Sequence, residues 1–122
     1  MGALEINDDI ADAFWASYNK VSASKDPIGK IEQDLKIFKS TAQQKISEGS
    51  PVLETRLKGL IREAERLLDL CKKDPSSEAS LYILAGIDYL VAAEDADNDW
   101  ESYEGFEDDE SVLRVIANHF SL

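Results

Sequence analysis

The run LYILAGIDYLVAA, residues 81–93, is the longest apolar stretch of the 122-residue chain. On a helix its apolar side chains cover nearly the whole circumference, and Gly86 and Asp88 are the interruptions. A helix that is apolar all round is normally buried, and the run is shorter than the roughly 20 residues that span a bilayer. We therefore predict that residues 81–93 form the central core helix of a globular protein.

Asp88 is the charged residue inside this core run. A buried carboxylate without a partner is costly, so such a residue is usually ion-paired or hydrogen-bonded. We predict that Asp88 has a structural partner inside the bundle, with Arg114 and Lys72 as candidates.

Three amphipathic helices are predicted before the central one, each with apolar residues at spacings of three and four. Asp26-Pro27 and Ser50-Pro51 place a capping residue before a proline at the first helical position, which marks two of the starts. Asp74-Pro75 ends the third helix, and Ser76 or Ser77 caps the central one. The apolar seams are Ile10, Phe14, Tyr18 and Val21, then Ile28, Ile31, Leu35, Phe38, Ala42 and Ile46, then Leu53, Leu57, Leu60, Ala64, Leu67 and Cys71. The second and third seams favour an antiparallel hairpin.

A fifth helix follows near the C-terminal end, with Asp108 or Asp109 as its cap. Its inward residues would be Val112, Val115, Ile116, His119 and Phe120. No segment alternates in the β pattern, and three prolines and six glycines leave room for long helices. The expected fold is all-α: a small bundle of about five helices in one domain, residues 1–122, with an ordered acidic loop at 94–110 between the last two.

The connection EDADNDWESYEGFEDDE, residues 94–110, concentrates the charge of the chain. It holds ten of the 25 acidic residues and no Lys or Arg, while the whole chain has a net charge of −12. Such a surface repels a nucleic-acid backbone and an anionic membrane, and it attracts basic proteins. The sequence therefore predicts a basic protein partner, with no direct nucleic-acid or membrane contact.

Residues with catalytic chemistry are few. Cys71 and His119 are the single cysteine and histidine, and they fall on the inward seams of different helices. No phosphate-binding loop, dinucleotide-binding glycine motif or zinc spacing is present, so we predict no catalytic residue and no cofactor. One cysteine and an N-terminus without signal-peptide character favour a cytoplasmic location.

Asp95, Asp97 and Asp99 are spaced like the first ligands of a calcium-binding loop. Trp100 stands where such a loop needs glycine, and Phe106 stands where it needs a bidentate glutamate, which argues against an EF-hand. We predict no dedicated metal site. Weak binding of Ca²⁺ or Mg²⁺ by these three carboxylates remains an alternative.

Residues 89–109, YLVAAEDADNDWESYEGFEDD, carry a resemblance to a known family. The pattern is formed by Tyr89, Leu90, Asp95, Asp99, Gly105, Phe106, Asp108 and Asp109. In these positions the chain resembles the YkvA-like bacterial family, a domain of unknown function. The family's three prolines are replaced here by Ala93, Asn98 and Ser102. The resemblance implies a bacterial origin and a helical hairpin with an ordered loop between its arms, and it implies no enzyme activity.

The acidic connection thus divides into two predicted groups. Residues that shape the loop or anchor it to the bundle are Asp95, Asp99, Trp100, Gly105, Phe106, Asp108 and Asp109. Residues predicted to contact a partner are Glu94, Asp97, Glu101, Tyr103, Glu104 and Glu107.

The leading functional hypothesis is a small acidic binding protein that engages a basic partner, as inhibitors and immunity-type proteins do. One alternative is a divalent-metal-dependent enzyme or sensor that uses Asp95, Asp97, Asp99, Asp108 and Asp109. Another is a structural or oligomeric scaffold built on the second and third helices.

Overall fold

The computed structural model describes residues 8–49, 54–92 and 107–122. Within these ranges the chain forms five helices and no β-strand, which confirms the predicted all-α bundle. The helices are α1 (Asp8–Ser22), α2 (Pro27–Ser47), α3 (Glu54–Lys73), α4 (Glu78–Ala92) and α5 (Glu107–His119).

Helix α4 is the centre of the bundle, as the apolar run predicts. It contacts each of the other four helices. Ile83, Leu84, Ile87 and Leu90 on α4 are at most 2% exposed, so its side chains are enclosed from several directions. No helix in the described ranges is both long enough and apolar enough to cross a membrane.

The predicted starts of α2 and α4 agree with the hydrogen bonds at these ends. The Asp26 carboxylate accepts a hydrogen bond from the Gly29 amide at 3.2 Å, and Pro27 occupies the first helical position. At α4 the Ser77 hydroxyl accepts one from the Ser80 amide at 3.2 Å. Ser77, rather than Ser76, therefore caps α4.

Helices α2 and α3 form the predicted antiparallel hairpin. Gly49 follows the end of α2 with φ of 93°, a backbone conformation that favours glycine. Ile46 near the end of α2 lines a groove with Ile61 in the first half of α3. At the opposite end of the hairpin, Lys72 of α3 pairs with Glu32 of α2, so the two helices run in opposite directions.

Helix α5 begins at Glu107, three residues before the end of the predicted acidic loop. The expectation that Asp108 or Asp109 caps this helix is therefore wrong, because both belong to its first turn. Acidic residues are favoured in a first turn, where the helix dipole is positive. An acidic run thus looks the same in sequence whether it lies in a loop or opens a helix.

The partner of Asp88 also differs from the prediction. Its carboxylate, 3% exposed, lies 3.1 Å from the Lys20 ammonium of α1. The expected partners are engaged elsewhere, Lys72 with Glu32 and Arg114 with Glu110. The close packing of α1 on α4 places Lys20 over Asp88, and seam spacing within a helix does not specify which helices become neighbours.

Candidate functional site

Most of the predicted site residues fall outside the described ranges. These are the predicted partner-binding residues Glu94, Asp97, Glu101, Tyr103 and Glu104, and the predicted loop-shaping residues Asp95, Asp99, Trp100, Gly105 and Phe106. Their roles, including the alternative of metal binding by Asp95, Asp97 and Asp99, stay predictions from the sequence.

The C-terminal part of the acidic run is incorporated into the bundle. Glu107 and Asp108 belong to the first turn of α5. Asp109 is buried, with 3% of its surface exposed. Glu110 lies 2.5 Å from Arg114 of its own helix and 3.8 Å from Arg56 of α3. Glu110 therefore joins α5 to α3 rather than facing solvent alone.

The cations of the bundle are largely paired with carboxylates of the bundle itself. Eight of the chain's thirteen Lys and Arg residues form ion pairs with acids in the described helices. They are Lys20, Lys30, Lys39, Arg56, Lys58, Arg66, Lys72 and Arg114. Most of the positive charge of the chain is thus already engaged within the helices.

Charge is also unevenly divided between the hairpin and the remainder of the chain. Helices α2 and α3 carry ten Lys or Arg against six Asp or Glu, a balance of +4. Since the whole chain has thirteen Lys or Arg and 25 Asp or Glu, the remainder carries three cations against nineteen acids, a balance of −16. The chain is strongly polarised, and its acidic excess lies outside the hairpin.

A groove of about 670 Å³ separates α3 from α5. Its apolar surface is formed by Gly59 and Leu60 of α3 with Leu113 and Ala117 of α5, and Arg56, Arg66 and Arg114 stand around it. We refer to it as the α3–α5 groove. The sequence predicted no site here, because the groove needs the two helices to be neighbours. Gly59 in the middle of an otherwise regular helix was the available signal.

The charges around the α3–α5 groove are not evenly balanced along its length. At one end the Arg66 guanidinium donates two hydrogen bonds to Glu63, at 2.5 and 3.1 Å, and this holds the pKa of Glu63 below its ordinary value. At the other end Arg56 and Arg114 share a single carboxylate, Glu110. Among the described residues that line this end, two guanidinium groups therefore stand against one carboxylate.

Cys71 is a core residue, as its place on the apolar seam predicts. Its side chain is fully buried, and the thiol lies 3.7 Å from the Ser80 carbonyl oxygen. Burial raises the pKa of the Cys71 thiol to about 11, and the contact with Ser80 opposes this shift. At neutral pH the group is an uncharged thiol, which is a poor nucleophile.

Aromatic side chains of α1, α4 and the C-terminal turn pack together at one surface. Trp15 is 37% exposed, and its ring meets Tyr18 and Tyr82 edge to face at centroid separations of 5.4 and 6.0 Å. Phe120 completes the cluster, 5.3 Å from Tyr82. The rings contact one another directly, so the cluster is a packed surface and not a cage around a cation.

Comparison of the chain with protein-family models, with curated proteins and with solved structures gave no match. The resemblance of residues 89–109 to the YkvA-like family accordingly stays a prediction. The functional argument rests on the charges and surfaces of the chain itself.

Proposed function

We propose that the protein acts by binding a basic partner protein through the acidic segment, defined here as residues 94–107. This segment carries seven acidic residues and no Lys or Arg. The observation that carries the proposal is that eight cations of the chain are paired with carboxylates in the described helices. The segment's charge therefore exceeds what the five remaining cations of the chain can neutralise.

A concentrated acidic surface is suited to a partner with a basic active site or binding face. Long-range attraction raises the rate of encounter, and like-charge repulsion discourages other acidic proteins. Proteins that bind or cleave nucleic acids carry such basic faces. The proposed role is that of a cytoplasmic inhibitor or immunity-type protein for a partner of this kind, and the interaction would weaken steeply with salt.

Capture from a cytosolic extract tests this function directly. The tagged full-length chain is immobilised, and bound proteins are identified after washes at about 0.05 M and about 0.5 M salt. Because the Debye length shortens from over 10 Å to a few ångströms in this range, a partner held by charge should be lost in the second wash. We expect a recurrent basic protein at low salt.

A pair of charge variants makes the test specific for the segment. In the first variant five predicted contact residues lose their charge: Glu94→Gln, Asp97→Asn, Glu101→Gln, Glu104→Gln and Glu107→Gln. In the matched control five exposed acids elsewhere lose theirs: Asp12→Asn, Glu48→Gln, Asp69→Asn, Asp74→Asn and Glu78→Gln. Both variants have the same net charge.

Only the first variant should lose the captured protein. Equal loss in both would mean that overall charge is responsible, and retention in both would remove the acidic segment as the binding surface. Recovery of acidic proteins alone would contradict the proposal.

A further inference from the structure

We propose that the α3–α5 groove is a binding site for an amphiphilic monoanion, an alkyl chain that ends in a carboxylate. The chain would lie on the apolar surface formed by Gly59, Leu60, Leu113 and Ala117. The carboxylate would lie between Arg56 and Arg114. The described residues that line the groove lie outside the acidic segment, and the site does not depend on the function proposed above.

Gly59 supplies the first observation. Glycine is unfavourable inside a helix, and in a bundle it is usually kept where a side chain would collide with a neighbour. Gly86 on α4 has such a reason, because an added Cβ would lie 2.8 Å from the Cδ1 atom of Ile116. At Gly59 no described atom lies within 4 Å of an added Cβ. The missing side chain opens the α3–α5 groove instead of relieving a contact.

The shape and lining of the groove agree with a small apolar ligand. Its volume of about 670 Å³ falls within the range of about 300–1,000 Å³ that is common for ligand sites. From Arg56 to Arg66, ten residues further along α3, the helix rises about 15 Å. A medium-length alkyl chain fits such a distance along Gly59.

The two arginines that share Glu110 indicate the charge of the head group and its position. Arg56 and Arg114 both face Glu110, and the Arg56 contact is long, 3.8 Å. A guanidinium has five N–H donors, so both arginines retain donors for a second carboxylate. At the other end Arg66 is already paired through two hydrogen bonds with Glu63. We therefore place the head group at the Arg56–Arg114 end.

The net charge of the chain favours a monoanion over an acidic protein as the occupant. Repulsion between two molecules increases with the product of their charges, and this chain carries −12. An acidic helix would bring several charges close to that surface. A ligand with one charge meets little of this repulsion and still forms the local contacts with Arg56 and Arg114.

Titration of the full-length chain with laurate, kept below its micellar concentration, tests the site by calorimetry. We expect saturable binding with one laurate per chain. Acetate at the same concentrations should give no saturable heat, because it offers the charge without the alkyl chain.

Two substitutions at one position separate the groove from the fold. Gly59→Leu fills the groove with a side chain that suits a helix, and we expect it to weaken laurate binding about tenfold or more while the melting temperature is kept or raised. Gly59→Ala adds a single methyl group and should change the affinity far less. Circular dichroism verifies that both variants are folded.

The head-group position is tested by the double variant Arg56→Gln, Arg114→Gln. Loss of two charge-assisted hydrogen bonds should weaken laurate binding roughly tenfold or more. Arg62→Gln is the control for a change of arginine outside the groove, since Arg62 is an exposed arginine of α3 that does not line it. It should leave the affinity within about twofold.

Three results would overturn the proposal. One is the absence of saturable laurate binding, another is an unchanged affinity in the folded Gly59→Leu variant, and the third is an equal loss in Arg62→Gln and in the double variant. The site would be established if the chain binds laurate and only the Gly59→Leu variant and the double arginine variant lose affinity for it.

Discussion

Cys71 shows how burial sets the chemistry of a single side chain. Its pKa of about 11 lies above the ordinary value near 9.0, so the neutral thiol is the form that the folded protein favours. A group whose folded pKa is raised stabilises the fold fully below its unfolded pKa. That contribution is lost as the pH rises from about 9 to about 11, and the folded protein should become less stable across this window.

Alkylation measures the protection of this thiol. At pH 8.5 iodoacetamide should modify the native chain far more slowly than the chain in denaturant, because the thiol is both buried and protonated. The chain has one cysteine, so the mass shift reports this residue alone. Equal rates in the two states would show that Cys71 is accessible.

Lys20 and Asp88 form the ion pair that the sequence did not specify. The carboxylate is 3% exposed and the ammonium 58% exposed, which places the pair between a surface and a buried salt bridge. Lys20→Met should lower the free energy of unfolding by about 1–2 kcal/mol, because it leaves a buried carboxylate without this cation. Urea denaturation measures the change.

A double-mutant cycle with Asp88→Asn isolates the interaction. The double variant should lose less free energy of unfolding than the two single variants lose together. Lys58→Met, at the exposed pair with Glu54, is the control and should cost about 0.3–0.5 kcal/mol. Strict additivity at Lys20 and Asp88 would mean that the pair contributes nothing.

For single residues, the sequence predicted which side chains are buried better than it predicted their ion-pair partners. The apolar run around Asp88 correctly indicated a buried carboxylate, and the seam of α3 correctly placed Cys71 in the core. The identity of the cation depended on α1 packing against α4, which is a tertiary contact. Helical periodicity describes one helix at a time and does not contain that information.

Among the elements, the contact of α4 with α5 depends on Gly86. An added Cβ would lie 2.8 Å from the Cδ1 atom of Ile116 and 3.0 Å from the Cδ2 atom of Leu113, and both side chains are buried. Alanine gains up to about 1 kcal/mol of helix propensity over glycine, but overpacking costs about 1–3 kcal/mol. Gly86→Ala should therefore lower the free energy of unfolding.

Gly59→Ala is the matched change in open space and should raise stability by about 0.5–1 kcal/mol. Thermal and urea unfolding of the two variants give the comparison. A stabilised Gly86→Ala variant would mean that α5 shifts easily against α4.

The start of α2 depends on the Asp26 carboxylate. Asp26→Ala removes the acceptor of the Gly29 amide hydrogen bond and should cost about 1 kcal/mol, read from the urea midpoint. Asp26→Ser keeps a capping oxygen and should restore most of the stability. Equal losses in the two variants would point to a role other than capping.

Helix starts were predictable where a specific local interaction marks them. Asp26-Pro27 and Ser77 are such signals, and the structure shows both caps. The start of α5 was misplaced because Glu107 and the acids after it suit a loop and a first helical turn equally well. The α3–α5 groove was missed for a related reason: Gly59 and Ala117 are unremarkable until their helices are side by side.

For the whole molecule, the acidic segment should carry a cost in stability. A net charge of −12 creates self-repulsion in the compact state. The variant in which Glu94 and four other acids of the acidic segment are replaced by amides has a net charge of −7. We expect its melting temperature at low salt to rise by a few degrees while it loses the proposed partner.

Salt identifies the origin of this effect. The difference in melting temperature between the variant and the unaltered chain should shrink in about 0.5 M NaCl, where charges are screened beyond a few ångströms. A difference that is independent of salt would indicate a structural effect of the substitutions instead of repulsion.

The position of α4 in the chain has a consequence for synthesis of the protein. The four other helices of the described ranges all pack on α4, and three of them precede it, with α1 ending at Ser22 and α4 at Ala92. At about 5–20 residues per second, α1 waits roughly 4–14 s on the ribosome before its main packing partner has been made. During that time Phe14 and Val21, which are buried in the folded chain, lack the α4 surface that later packs against α1.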